Sequence, residues 1–210
     1  MSAPAQVDVL IARVRAEPQA ADFALLTAEE AARAARYANA VRRAVFVAGR
    51  AFLKRAIAVQ MGCSAIDVRL IIAPGGKPMI APVMGKATPF FSFSHGAGHY
   101  ALALCASDAV GVDIESLCSV AHPDAIARRF LSLDAAADIA AADDKPRAFL
   151  AHWTQLEARL KLTGQGLRGD RSGAAHVPCE TIAGTDWVGA VACARPFTVA
   201  LEDDASPLLR

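Results

Sequence analysis

A chain of 210 residues with 54 % apolar content is long enough for one large domain or two small ones, each with its own core. Its formal charge of +1 argues against a general nucleic-acid binder, which would be strongly basic. No apolar run free of Pro, Gly and charge is long enough to span a bilayer. The five cysteines are scattered, with no CxxC pair, and read as buried thiols rather than a disulfide framework. The first residues carry Asp8 and Glu17 around an apolar run, not a basic segment followed by a long apolar core. The expectation is a soluble, cytoplasmic protein that neither binds nucleic acid nor enters a membrane.

Residues 7–14 have the composition of a first strand. Thr27-Ala28-Glu29-Glu30 begins a helix, with Thr27 as N-cap and Glu30 at the reciprocal position. The helical pattern continues, with a break near Asn39, to about Met61, where Gly62 ends it. Arg33, Arg36, Arg42, Arg43, Arg50, Lys54 and Arg55 fall in this stretch. Their spacing fits an anion-binding face and a solvated amphipathic helix about equally. Residues 67–72 form a strand that breaks at the loop Pro74-Gly75-Gly76-Lys77-Pro78. Residues 91–93 and 99–106 are strands flanking a turn, Ser94-His95-Gly96-Ala97-Gly98. A further strand carries Asp113 and Glu115. Residues 123–142 are mostly helical, and residues 146–162 form another helix. Gly164, Gly166 and Gly169 end helical structure, and strands follow near 187–193 and 197–201. This order predicts two α+β halves joined near residue 108.

Three motifs carry chemistry. In Ala109-Val110-Gly111-Val112-Asp113-Ile114-Glu115 a strand would send both carboxylates to one face and Val112 and Ile114 to the other. Glu157 and Lys161, four apart on a helix, share a face. Convergence of these three carboxylates would suit Mg²⁺, and the nearby ammonium a phosphate. Taken singly, each motif has a plainer reading: an ordinary strand edge, a surface ion pair, and, for Gly75-Gly76-Lys77-Pro78, a turn. His95 and His99 have helical spacing for a metal, but Gly96 and Gly98 break such a helix and no third nitrogen or sulfur ligand is evident. Neither GxxxxGK[ST], GxGxxG nor GxSxG occurs at a fitting place.

Together the motifs resemble those of the 4′-phosphopantetheinyl transferases, in particular the monomeric, two-lobed type that includes the surfactin-synthetase activator. That family shows a GKP loop, (F/N)xSH, (V/I)G(V/I)D(V/I)E and W(S/T)xKE(A/S)xxK in this order. Here they read Gly76-Lys77-Pro78, Phe93-Ser94-His95, Val110-Gly111-Val112-Asp113-Ile114-Glu115, and Trp153-Thr154-Gln155-Leu156-Glu157-Ala158-Arg159-Leu160-Lys161, followed by Gly164-Gln165-Gly166-Leu167. The likeness covers roughly residues 25–170.

The resemblance implies an α+β fold of two similar lobes, 1–107 and 108–210, related by a pseudo-twofold. Each would have a small, mainly antiparallel sheet packed on helices, with the active site between lobes. It implies transfer of the 4′-phosphopantetheine arm of coenzyme A to a serine of an apo acyl- or peptidyl-carrier protein, releasing adenosine 3′,5′-bisphosphate. Asp113, Glu115 and Glu157 would hold Mg²⁺ (or Mn²⁺), and Lys161 would neutralise a pyrophosphate oxygen. Arg42, Arg50 and His95 would cradle the 3′-phosphate, helped by Ser94. The loop Gly75, Gly76, Lys77 and Pro78 would lie along the adenine nucleotide. Glu157 is the first candidate base for the serine proton.

Leu156 departs from the family's lysine, Ser92 and Gly96 from its Asn and Ser, and Asp134 stands where a glutamate is usual. None of these removes a proposed metal ligand. Two other classes stay open: a different metal-dependent phosphoryl or nucleotidyl enzyme, and a non-catalytic relative that binds coenzyme A or a carrier.

Overall fold

The computed structural model describes residues 3–15, 17–73, 76–96, 98–117, 123–164 and 176–209. Gly75, Cys118 and residues 165–170 lie outside them. Strand β1 (Ala5–Arg13) is apolar on both faces: Ala5, Val7, Val9 and Ile11 on one, Leu10 and Ala12 on the other. Such a strand has to be covered on both sides. It takes the middle of a sheet, pairing antiparallel with β5 (His99–Cys105) and parallel with β9 (Phe197–Glu202). Strand β4 (Phe90–Gly96) completes the order β4-β5-β1-β9. A second, antiparallel sheet has the order β6-β8-β7, built from β6 (Val110–Ser116), β7 (Cys179–Ala183) and β8 (Trp187–Cys193). Strands β2 (Leu70–Ile72) and β3 (Pro78–Ile80) form a separate hairpin.

The sheets face each other. Val7, Val9, Ile11, Ala101 and Ala103 meet Val110, Val112, Ile114 and Val191 in one apolar layer. Outside the first sheet lies α3 (Ala40–Met61), whose Phe52, Leu53 and Ile57 pack on Tyr100 and Leu102. Outside the second lies α6 (Lys145–Thr163), whose Ala158 packs on Ala190 and Ala192. The layers therefore run helix, sheet, sheet, helix. Small sheets of mainly antiparallel strands packed on helices match the expected α+β class. Strand β9, from the second half of the chain, completes the sheet formed by β4, β5 and β1.

Helix ends follow local chemistry. Before α2 (Ala28–Ala35), Thr27 Oγ1 accepts the Glu30 N–H at 3.2 Å, and Glu30 Oε2 accepts the Thr27 N–H at 2.9 Å. Asn39 caps α3 through the Arg42 N–H, and Gly62 ends it at φ 58°. Ser132 starts a new helix and divides the expected one at 123–142 into α4 (Pro123–Phe130) and α5 (Leu133–Ala141). Neither α1 (Ala20–Ala24) nor β7 was expected. The expected strand 67–72 is only β2, preceded by a 3₁₀ turn at Ala65–Asp67. Ser94, His95 and Gly96 were expected in a turn but belong to β4, which pairs with β5 as far as Gly96↔His99. Ser92 and Ser94 are both buried, two apart on one face, so the strand runs on through them.

One buried ion pair fixes α2 against α3. Lys54, fully buried, donates to Glu30 Oε2 and to the Leu25 carbonyl, both at 2.7 Å. Burial alone would raise the Glu30 pKa, but the Lys54 bond, the Thr27 N–H and the Arg50 charge outweigh it and leave it lowered. The folded state thus holds the Glu30 proton less tightly than the unfolded state. The resulting stability is present above the ordinary value of 4.5 and is lost as pH falls through the lower folded value. Glu30→Gln should flatten this acid limb in denaturant titrations across that range. An unchanged acid limb would show that Lys54 and Glu30 are not coupled.

Candidate active site

The site begins where α6 rests on β6. A Cβ built on Gly111 would overlap the Ala158 carbonyl oxygen and stand 2.7 Å from the Leu162 nitrogen, so only glycine allows this approach. Val110, Val112 and Ile114 face the layer between sheets, leaving Gly111, Asp113 and Glu115 for the α6 side. Glu157 and Lys161, one turn apart on α6, share that face. Strand β4 approaches from the other edge. Ser92 Oγ accepts the Val112 N–H at 3.0 Å, stitching β4 to β6 where no sheet ladder joins them.

Lys161 and Glu157 do not form the simple surface pair that their spacing allows. The Lys161 ammonium instead reaches Asp113 Oδ1 at 2.7 Å and Ser94 Oγ at 2.7 Å. Ser94 donates to the same Asp113 oxygen at 2.8 Å. The other oxygen, Asp113 Oδ2, is buried with no hydrogen-bond partner. Burial raises the Glu115 pKa, aided by the charges of Asp113 and Glu157 and opposed by Lys161. Burial likewise raises that of Glu157, again aided by Asp113 and opposed by Lys161. Three carboxylates thus face one ammonium. Among the described residues no three acidic, His or Cys side chains are gathered closely enough to hold a metal ion, so the expected convergence of Asp113, Glu115 and Glu157 on one point is not formed here. An orphaned buried carboxylate oxygen among mutually repelling acids nevertheless fits a hard divalent cation with oxygen ligands.

Two recesses adjoin this cluster, and the Phe93 ring lines both. The larger, of about 940 Å³, carries Arg33, Arg42, Arg50, Phe46 and His95. Arg33 and Arg50 lie 5.1 and 5.4 Å from the centre of the Phe46 ring. Burial lowers the Arg50 pKa, and Arg33 adds to this against Glu30 and Tyr37. Burial and then Lys161 lower that of His95, opposed by Asp113. The smaller, of about 320 Å³, is walled by Gly76, Lys77, Pro78, Ser92, Glu157 and Lys161. Here the Lys77 ammonium donates to the carbonyls of Val110 (3.0 Å) and Leu162 (3.2 Å), tying the loop to β6 and α6. Gly75 lies outside the described residues. His95 faces the large recess, whereas His99 is buried 3.8 Å from Asp186, so the two imidazoles do not share a metal.

Arg33, Phe46, Ser92 and Phe93 join the site without having been singled out as site residues. Arg33 and Phe46 sit three and four residues from Arg36 and Arg42 in the basic stretch, a periodicity that could have selected them. For Ser92, only the unpaired N–H of an edge strand reveals the role.

Residues 109–192, from the start of β6 into β8, match the profile of the 4′-phosphopantetheinyl transferase superfamily. The chain is 31 % identical over 157 residues to HetI, a 4′-phosphopantetheinyl transferase of Nostoc sp., covering 72 % of this chain and 65 % of HetI. It is 31 % identical over 121 residues to the 4′-phosphopantetheinyl transferase ffp of Bacillus subtilis, covering 57 % and 51 %. A Synechocystis sp. protein provisionally given the same name is 28 % identical over 148 residues, covering 70 % and 60 %. The chain is thus similar to 4′-phosphopantetheinyl transferases across both of its halves. The aligned part spans 51 to 65 % of the length of these relatives. The segment matching the superfamily profile holds Asp113, Glu115, Glu157 and Lys161, whereas Arg42, Arg50 and His95 lie before it. Among the described residues no helix is long and apolar enough to cross a membrane.

Proposed function

We propose that this protein is a member of that superfamily and transfers the 4′-phosphopantetheine arm of coenzyme A to a serine hydroxyl of an apo acyl- or peptidyl-carrier protein. We read it as a cytoplasmic monomer of two pseudo-twofold lobes, with the site between them. The observation that carries the reading is the Lys161–Asp113–Ser94 contact, with its orphaned carboxylate oxygen, between the arginine-lined recess and the smaller one that Glu157, Lys77 and Lys161 border.

Asp113, Glu115 and Glu157 are the residues to hold Mg²⁺, which would place positive charge on the pyrophosphate as the transferred group leaves. Arg42, Arg50 and His95 take the 3′-phosphate in the larger recess. Lys161, on the wall of the smaller recess, neutralises a pyrophosphate oxygen. The Gly76–Pro78 segment borders the nucleotide, and Lys77 keeps it in place through the Val110 and Leu162 carbonyls. Glu157 accepts the serine proton, and the burial that raises its pKa makes it a stronger base. The serine oxygen forms a bond to the β-phosphorus of coenzyme A. The bond from that phosphorus to the oxygen bridging the two phosphates breaks, and adenosine 3′,5′-bisphosphate leaves.

Mass spectrometry of apo-carriers incubated with the protein, coenzyme A and Mg²⁺ tests this directly. The expected result is a gain of one phosphopantetheine arm on the carrier serine. Carriers of fatty-acid, polyketide and peptide pathways all left unmodified would overturn the reading. In the same assay Glu157→Gln should slow turnover by about two orders of magnitude or more at nearly constant melting temperature. A fall in stability without loss of turnover would make Glu157 structural.

A third measurement concerns the basic recess. Charge-assisted contacts to the 3′-phosphate should favour coenzyme A over its dephospho form by about 1–3 kcal/mol per well-made contact. Arg50→Gln should narrow that preference, and Lys54 keeps Glu30 paired in the variant. Equal affinity for both ligands in the unmodified protein would assign the basic recess to something else.

A further inference from the structure

The carboxylate cluster contains its own cation, seated on the same carboxylate whose other oxygen, Asp113 Oδ2, is without a partner. Asp113 Oδ1 already accepts from both Lys161 and Ser94. A divalent ion on the same carboxylate would bring its charge close to the ammonium, and two cations on one buried carboxylate repel strongly. The two partners differ in freedom. Asp113 is held on β6 with its side chain 7 % exposed, whereas that of Lys161 is 32 % exposed and borders the smaller recess. Ser94 is bonded to both and can keep Asp113 oriented when the ammonium leaves.

We infer that Lys161 is the resident counter-cation of this cluster and that it and a divalent metal take Asp113 in exchange, not together. The inference rests on the metal reading proposed above. Lys161 neutralises part of the acidic cluster until the metal arrives, and metal binding frees an ammonium beside the recess where the pyrophosphate is to sit. Metal and anionic ligand then favour each other's binding, because the first releases a charge the second uses.

The test is Mn²⁺ affinity of the full chain without coenzyme A, followed by electron paramagnetic resonance and calorimetry. Lys161→Met keeps the apolar stem and removes the charge. It should bind Mn²⁺ about tenfold or more tightly than the unmodified protein, although it is expected to be a poor transferase. The gain should vanish in Lys161→Met/Asp113→Asn. Binding by the unmodified protein that depends on Asp113 but is equal or weaker in Lys161→Met would overturn the exchange and leave the metal reading standing. No Mn²⁺ binding by either protein would overturn both. If Lys161→Met is unfolded without metal, Mn²⁺ should restore it, because the ion takes over the neutralising charge. Failure to recover, there and in Lys161→Gln, would overturn the exchange.

Discussion

Asp113→Asn is expected to leave a folded protein whose transfer activity falls by about three orders of magnitude or more. An amide oxygen at this position can still accept from Ser94 and Lys161, so the local contacts survive. What disappears is the charge that a divalent cation needs. Stability should hold or rise. Burial first, and the Asp113 charge after it, push up the pKa values of both Glu115 and Glu157, so keeping these acids ionised together costs the folded state stability. Removing one charge relieves the other two. Transfer rate and melting temperature, measured side by side with Mg²⁺ present, check this. A variant that melts much earlier, or one that still transfers well, would show that Asp113 serves the fold or has no part in turnover.

Gly111→Ala is expected to damage stability and turnover together. Its Cβ has nowhere to go, because the Ala158 carbonyl and the Leu162 nitrogen occupy its place and both are helix backbone. Backbone cannot rotate away as a side chain can, so α6 must lift from β6. A loss on the order of 3 kcal/mol is expected, at the upper end for overpacking. The same shift carries Lys161 away from Asp113, so activity falls for a geometric reason with every charged group still present. Urea midpoints and transfer rates measure both effects. Near-normal stability would mean that the helix is not seated on the strand as described.

Much of this was legible where chemistry is local. Thr27 and Glu30, Asn39 and Gly62 announce their helix ends through short-range hydrogen bonds and the left-handed φ of glycine. The alternation of Val112, Asp113, Ile114 and Glu115 correctly sends the acids away from the apolar layer. What was not legible depends on distant partners. Lys161 could pair with Glu157 by spacing, and only the fold shows it reaching Asp113, 48 positions away. Lys77 looked like a nucleotide contact, yet its ammonium is bound to carbonyls of β6 and α6. Ser94 and His95 suggested a turn because of the glycines after them, but pairing with β5 carries the strand on to Gly96. In β7 only Ile182 is buried, so its residues show no alternation to read.

The pairing of β9 beside β1 has a consequence for how the protein is made. The Ala5 N–H bonds to the Pro196 carbonyl, and the Ile11 carbonyl accepts the Ala205 N–H. Leu209 is buried in the core beneath α3. A ribosome that has released only residues 1–107 has therefore exposed a sheet with an open edge at β1 and a core missing part of its cover. Synthesis must pass Glu202 before that edge closes, and Leu209 before the core is covered. Such long-range closure slows folding and leaves β1 available to mispair in the meantime. The nascent chain should thus depend on chaperones until its final strand emerges, whatever the stability of the finished protein.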